Sequence, residues 1–124
     1  MSKPHGTFVW NDLLTSDVDK AKTFFARTLG WTYEDFSLEG QPYFVIRTGE
    51  EMVGGLGAIE HGDVETTSSY WIGFIEVEHI DERFATALEA GAAAIRPPHD
   101  VDGIGRVCVL RDPTGAVIGW LQSA

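Results

Sequence analysis

Trp10 and Asp12 stand two residues apart in Phe8–Leu14, a stretch rich in apolar residues that reads as a strand. Strand alternation sends Phe8, Trp10 and Asp12 to one face and Val9, Asn11 and Leu13 to the other. A carboxylate beside an indole can hold a cationic or hydroxylated ligand, or act as a general base if its pKa is raised. The structural alternative is a carboxylate paired with a donor such as Arg106 or a backbone N–H. Arg106 follows Gly103-Ile104-Gly105 and is a candidate contact for an anionic ligand group as well as for Asp12. Trp71, with Tyr70 beside it, could stack on a flat ligand or pack in the core or an interface. Gly54, Gly55 and Gly57 leave space above their strand for Trp10 or for a ligand. They form no phosphate-binding loop, because no Lys-Ser/Thr follows and no helix begins there. Cys108 within Val107-Cys108-Val109 reads as a small buried apolar residue, with no basic neighbour in sequence to make a thiolate. The histidines are His5 in a loose N-terminus, His61 and His99 in loops, and His79 at a helix start. None pairs with another at helix spacing, so they read as surface residues.

The chain has 124 residues, the size of one compact domain. Its 9 Lys+Arg against 19 Asp+Glu give a net charge of −10, which repels a phosphate backbone and argues against nucleic acid as a partner. No apolar stretch approaches the roughly 20 residues of a membrane span, and Met1–Gly6 lacks the apolar core of a signal peptide. The single cysteine excludes an internal disulfide, zinc fingers and CxxC chemistry, and suits a reducing, cytoplasmic setting.

The elements that position these residues alternate in period. Val18, Ala21, Phe24, Phe25 and Leu29 recur at spacings of three and four, which predicts a helix over 17–29 capped by Ser16 or Asp17 and stopped at Gly30. Strands are expected over 31–36, 43–47 and 52–59. After a polar stretch over 61–69 the pattern restarts: a strand over 70–77 and a helix over 80–90 with Ile80, Phe84, Ala87 and Leu88 on one face. A short strand over 93–96 is stopped by Pro97-Pro98, a loop covers 99–105, and strands cover 106–110 and 116–122. Trp31 and Trp120 are expected between sheet and helix. Strand, helix and three strands thus occur twice, and the helix starts Val18-Asp19 and Ile80-Asp81 lie 62 residues apart. The expected class is α+β: two βαβββ modules, about 6–60 and 70–123, in one domain, with a curved mixed sheet around a cavity. A ferredoxin-like sandwich is the alternative.

Three stretches carry a family resemblance: Trp10–Leu13 through Asp17–Phe25 to Leu29-Gly30-Trp31, Ile75–Glu78 leading into Ile80-Asp81, and Gly105–Val107 running to Asp112–Ala116. In combination the chain resembles the vicinal oxygen chelate superfamily of glyoxalases, bleomycin-resistance proteins and ring-cleaving dioxygenases. The resemblance implies a concave cavity, commonly a homodimer, and in metal-using members four His or Glu ligands to a divalent ion. Carried over, the ligand positions fall on Trp10, near Gly55 within Val53–Leu56, on Ile72 (a one-residue slip gives Trp71 or Gly73) and on Gly119, none of which donates a suitable atom. The expectation is therefore a protein without metal or other cofactor that binds a small organic molecule in an aromatic-lined cavity through Trp10, Asp12, Gly55, Trp71 and Arg106. The alternatives are a lyase, isomerase or dioxygenase with non-standard ligands, and a structural dimer with a filled cavity. Nucleic acid and membrane are not expected partners.

Overall fold

A computed structural model of the protein describes residues 3–124. Among these residues there are eight strands, two α-helices and one 3-10 turn. In chain order they are β1 (Phe8–Thr15), α1 (Val18–Leu29), β2 (Thr32–Asp35), β3 (Tyr43–Thr48), β4 (Glu51–Ala58), the 3-10 turn (Ile59–His61), β5 (Tyr70–Glu76), α2 (Ile80–Glu89), β6 (Ala93–Val101), β7 (Gly105–Arg111) and β8 (Val117–Ser123). The class is α+β with mixed strand pairing. The chain divides into two compact units, Trp10–Trp71 and residues 3–9 together with Ile72–Ala124.

In the Trp10–Trp71 unit the strand order is β2-β3-β4-β1. β4 runs parallel to β1, with Asp12 opposite Gly55, and antiparallel to β3. A parallel pair needs a crossover, and α1 is part of it. Alternation along β1 buries Leu13 and Thr15. Leu13, Ile46 and Leu56 form the core, against which Val18, Ala21, Phe25 and Trp31 pack. Asp17 caps α1 by accepting from Lys20 N at 3.0 Å, and Gly30 ends it in the left-handed conformation at φ 72°. The apolar face of α1 is narrower than its spacing predicts. Phe24 and Leu29 are exposed, Phe24 because it sits about 100° round the helix from Phe25.

The other unit repeats this plan as β5-β8-β7-β6, with β5 parallel to β8 and Phe74 opposite Gly119. Val77, Ile80, Phe84, Cys108 and Leu110 form its core, with Ile118 and Trp120 packed against them. Leu88 of the expected α2 face is exposed. β6 does not stop at Pro97. It continues through the proline pair to Val101, so His99 is a strand residue rather than a loop residue. Its register against β7 shifts between Ala94 and Arg96 and again between Arg96 and His99. β6 has one partner, β7, and such irregular strands tolerate residues that cannot donate to a ladder. Residues 5–7 are tied down rather than loose: Gly6 N donates to Glu76 O, Glu76 N to Thr7 O, and Glu78 N to His5 Nδ1.

Candidate functional site

The polar groups that converge most closely lie in the Trp10–Trp71 unit. Asp12 Oδ1 accepts from Trp10 Nε1 at 2.8 Å and from the Tyr43 hydroxyl at 2.8 Å. Trp10 Nε1 also lies 3.4 Å from that hydroxyl. Alternation along β1 brings Trp10 to Asp12, and β3 delivers Tyr43 across β4. Gly55 and Gly57 make the delivery possible. The Tyr43 ring lies against Gly57, and a Cβ at Gly55 would overlap both the Tyr43 hydroxyl and Asp12 Oδ1. The space above Gly55 is thus taken by Tyr43 and Asp12, neither of which its glycine run pointed to. Gly54 meets a different need, since a Cβ there would strike the carbonyl oxygen of Asn11 on β1.

Burial pushes the Asp12 carboxyl above its ordinary range, against the opposing pull of the hydrogen bonds from Tyr43 and Trp10. Burial, followed by the charge of Asp12, pushes the Tyr43 phenol up as well, so it stays a neutral donor. Both hydrogen bonds fall on Oδ1. Oδ2 accepts neither of them, and it is not sealed away, because no buried side-chain oxygen or nitrogen among the described residues lacks a partner. The arrangement fixes one carboxylate oxygen through two neutral donors. Tyr43 is the residue that strand patterning missed. Its only signal is the Gly55/Gly57 gap on the neighbouring strand.

Trp71 is placed elsewhere. Its ring meets Phe25 and Trp31, with centroids 5.9 and 6.3 Å away, and it is 47% exposed. It lines an open cleft of about 380 Å³ with Asn11, Trp31, Ile46, Val53 and Gly54. Asn11 belongs to the opposite face of β1 from Asp12, so this cleft is not continuous with the Asp12 group. Arg106, in the other unit, is held by Asp81 and Asp100, with its Nη2 3.0 Å from Asp81 and its Nη1 3.1 Å from Asp100. Its carboxylate partners therefore lie on α2 and β6, while the donors to Asp12 are Trp10 and Tyr43. A second groove, about 510 Å³ and almost wholly apolar, runs in that unit between the end of α2 and β7–β8. It carries no convergent polar set.

The four positions where the resemblance implies metal ligands do not fit a divalent ion. Trp10 spends its N–H on Asp12, Ile72 is buried, and Gly55 is closed over by Tyr43. Gly119 is closed over likewise, because a Cβ there would overlap the Phe74 ring. Gly55 faces Asp12 and Gly119 faces Phe74, positions 62 residues apart on β1 and β5. The two halves therefore use one device: a glycine yields its space to a side chain from a neighbouring strand. Among the described residues no group of three or more His, Cys, Asp or Glu could hold a metal.

Cys108 is fully buried in the core and burial pushes its thiol up to about 12. His79 adopts a left-handed conformation at φ 54° and makes no side-chain cap. Gln122 Oε1 accepts from Ile80 N in its place. His61 ends the 3-10 turn beside Glu60.

Comparison with known proteins extends these observations. "Putative glyoxylase CFP32" of Mycobacterium bovis is 33% identical over 120 residues, which are 96% of this chain and 45% of that protein. "Anthracycline biosynthesis protein DnrV" of Streptomyces peucetius is 28% identical over 127 residues, 90% of this chain and 45% of that protein. The chain thus spans about half the length of these relatives. The crystal structure of methylmalonyl-CoA epimerase from Mycobacterium tuberculosis shares the fold with a TM-score of 0.68 at 13% identity, covering 100% of this chain and 93% of that one. The model of the Glyoxalase/Bleomycin resistance protein/Dioxygenase superfamily matches residues 7–119, across both βαβββ halves, and the chain belongs to that superfamily.

Proposed function

We propose that the protein binds a small organic molecule on the Trp10–Asp12–Tyr43 face, without a metal ion. The observation that carries this reading is the occupation of the family's ligand positions. Gly55 and Gly119 have yielded their space to Tyr43 and Phe74, while Asp12 is held by two neutral donors with Oδ2 uncommitted. A half-buried carboxylate with an aromatic neighbour and a free oxygen is a ligand-orienting group. The relative named for anthracycline biosynthesis makes anthracyclines the first ligands to try. A homodimer in the cytoplasm is part of the same reading, in keeping with what the superfamily resemblance implies.

A panel of planar aromatics and antibiotics, titrated while the Trp10 indole N–H resonance is followed, tests it. At least one member is expected to shift that resonance, and Trp10→Ala to lose the binding. Unchanged affinities in Trp10→Ala would remove the site from this face. A second reading draws on the raised Asp12 carboxyl, which suits a general base in an isomerase-type reaction. It would show as solvent deuterium entering a bound ligand with wild-type protein and not with Asp12→Asn.

A further inference from the structure

We propose that the group a ligand presents to Asp12 is a cation, a protonated amine carried on an aromatic ring. The inference rests on the reading that the Trp10–Asp12–Tyr43 face is the ligand site, and it names the chemistry that site accepts. Half-buried carboxylates are ordinarily paired with a positive group, because desolvating a lone negative charge is costly. The partners of Asp12 are an indole N–H and a phenol O–H, both uncharged, and both bind Oδ1. Three arginines pair with other carboxylates: Arg106 with Asp81 and Asp100, Arg47 with Glu34, Arg83 with Glu78. Lys22 lies 3.7 Å over the Phe44 ring, part of the packing beside α1.

The site is thus built as half of an ion pair. Trp10 and Tyr43 fix the carboxylate and Gly55 gives Tyr43 the room to do so. An ammonium at Oδ2 would restore the lost solvation with a charge-assisted hydrogen bond. The Trp10 ring, tethered to the same carboxylate, adds an aromatic surface beside that charge. The net charge of −10 favours the approach of a cation from a distance and disfavours an anion.

The test uses matched probes at three ring sizes: benzylamine, 2-naphthylmethylamine and 9-anthracenylmethylamine, each against its alcohol. Binding to the full chain is measured by calorimetry at pH 7 and low salt, with the Trp10 indole N–H resonance as the reporter of location. At the ring size that binds, the amine is expected to bind at least about tenfold more tightly than the alcohol. Asp12→Asn still accepts from Trp10 and Tyr43 through its carbonyl, and it is expected to abolish that preference while a thermal melt shows it folded. Amine and alcohol binding equally, with the Trp10 resonance shifted by both, would overturn the inference and leave the site standing. A preference that survives in Asp12→Asn would also overturn it. No shift of Trp10 by any of the six probes would overturn the site itself.

Discussion

At the scale of single residues, the Asp12 group holds a carboxyl between two neutral donors. Burial raises the Asp12 carboxyl, so the folded chain keeps that proton to higher pH than the unfolded chain does. The stability this lends is complete below the ordinary carboxylate range and is lost as pH rises through the raised native value. Asp12→Asn never ionises and keeps its acceptor. Its stability relative to the wild type is therefore expected to grow across that window, which urea midpoints taken from pH 4 to pH 8 would reveal; a gap that stays flat would mean Asp12 titrates as an ordinary carboxylate. Gly55→Ala would force Tyr43 off its hydrogen bond, and a cost of about 1–3 kcal/mol is expected in denaturant unfolding. Cys108 is a core residue whose thiol burial pushes up to about 12, so iodoacetamide at pH 8 should label it only as fast as the chain unfolds. Labelling at the rate of a free thiol would contradict that placement.

At the scale of elements, local patterns were readable and cross-strand events were not. The cap of α1 is four residues of sequence: Asp17 accepts from Lys20 N and Gly30 takes the left-handed turn. The cap of α2 comes from Gln122, 42 residues away, while His79 at the helix start takes a left-handed turn and makes no side-chain cap. Asp17→Ala and Gln122→Ala are each expected to cost about 1 kcal/mol in thermal or chemical unfolding, since each leaves one first-turn N–H unpaired. A loss at Asp17 alone would mean that the long-range cap is not formed. The same limit explains the proline pair, where Pro97-Pro98 reads as a stop but β6 carries it through two register shifts. It explains the site too. Trp10 and Asp12 share a strand and were legible together, whereas Tyr43 reaches them only because β3 and β4 pair in a particular register.

At the scale of the whole molecule, a duplicated βαβββ plan carries Trp10, Gly55, Ile72 and Gly119 at the positions where the resemblance implies metal ligands. At the two glycines, opposite Asp12 and Phe74, the space is filled by side chains of neighbouring strands. Light scattering on a size-exclusion column would test the homodimer, with twice 13.6 kDa expected and 13.6 kDa contradicting it. The central claim, ligand binding at the Asp12 face without metal, is tested most directly by one comparison. The tightest-binding aromatic of the panel is titrated calorimetrically into chelator-treated protein and into protein given Zn, Ni, Fe or Mn. Dissociation constants that agree within about twofold, with no stoichiometric metal retained, are the predicted result. Binding that appears only with a tightly held metal ion would contradict the account.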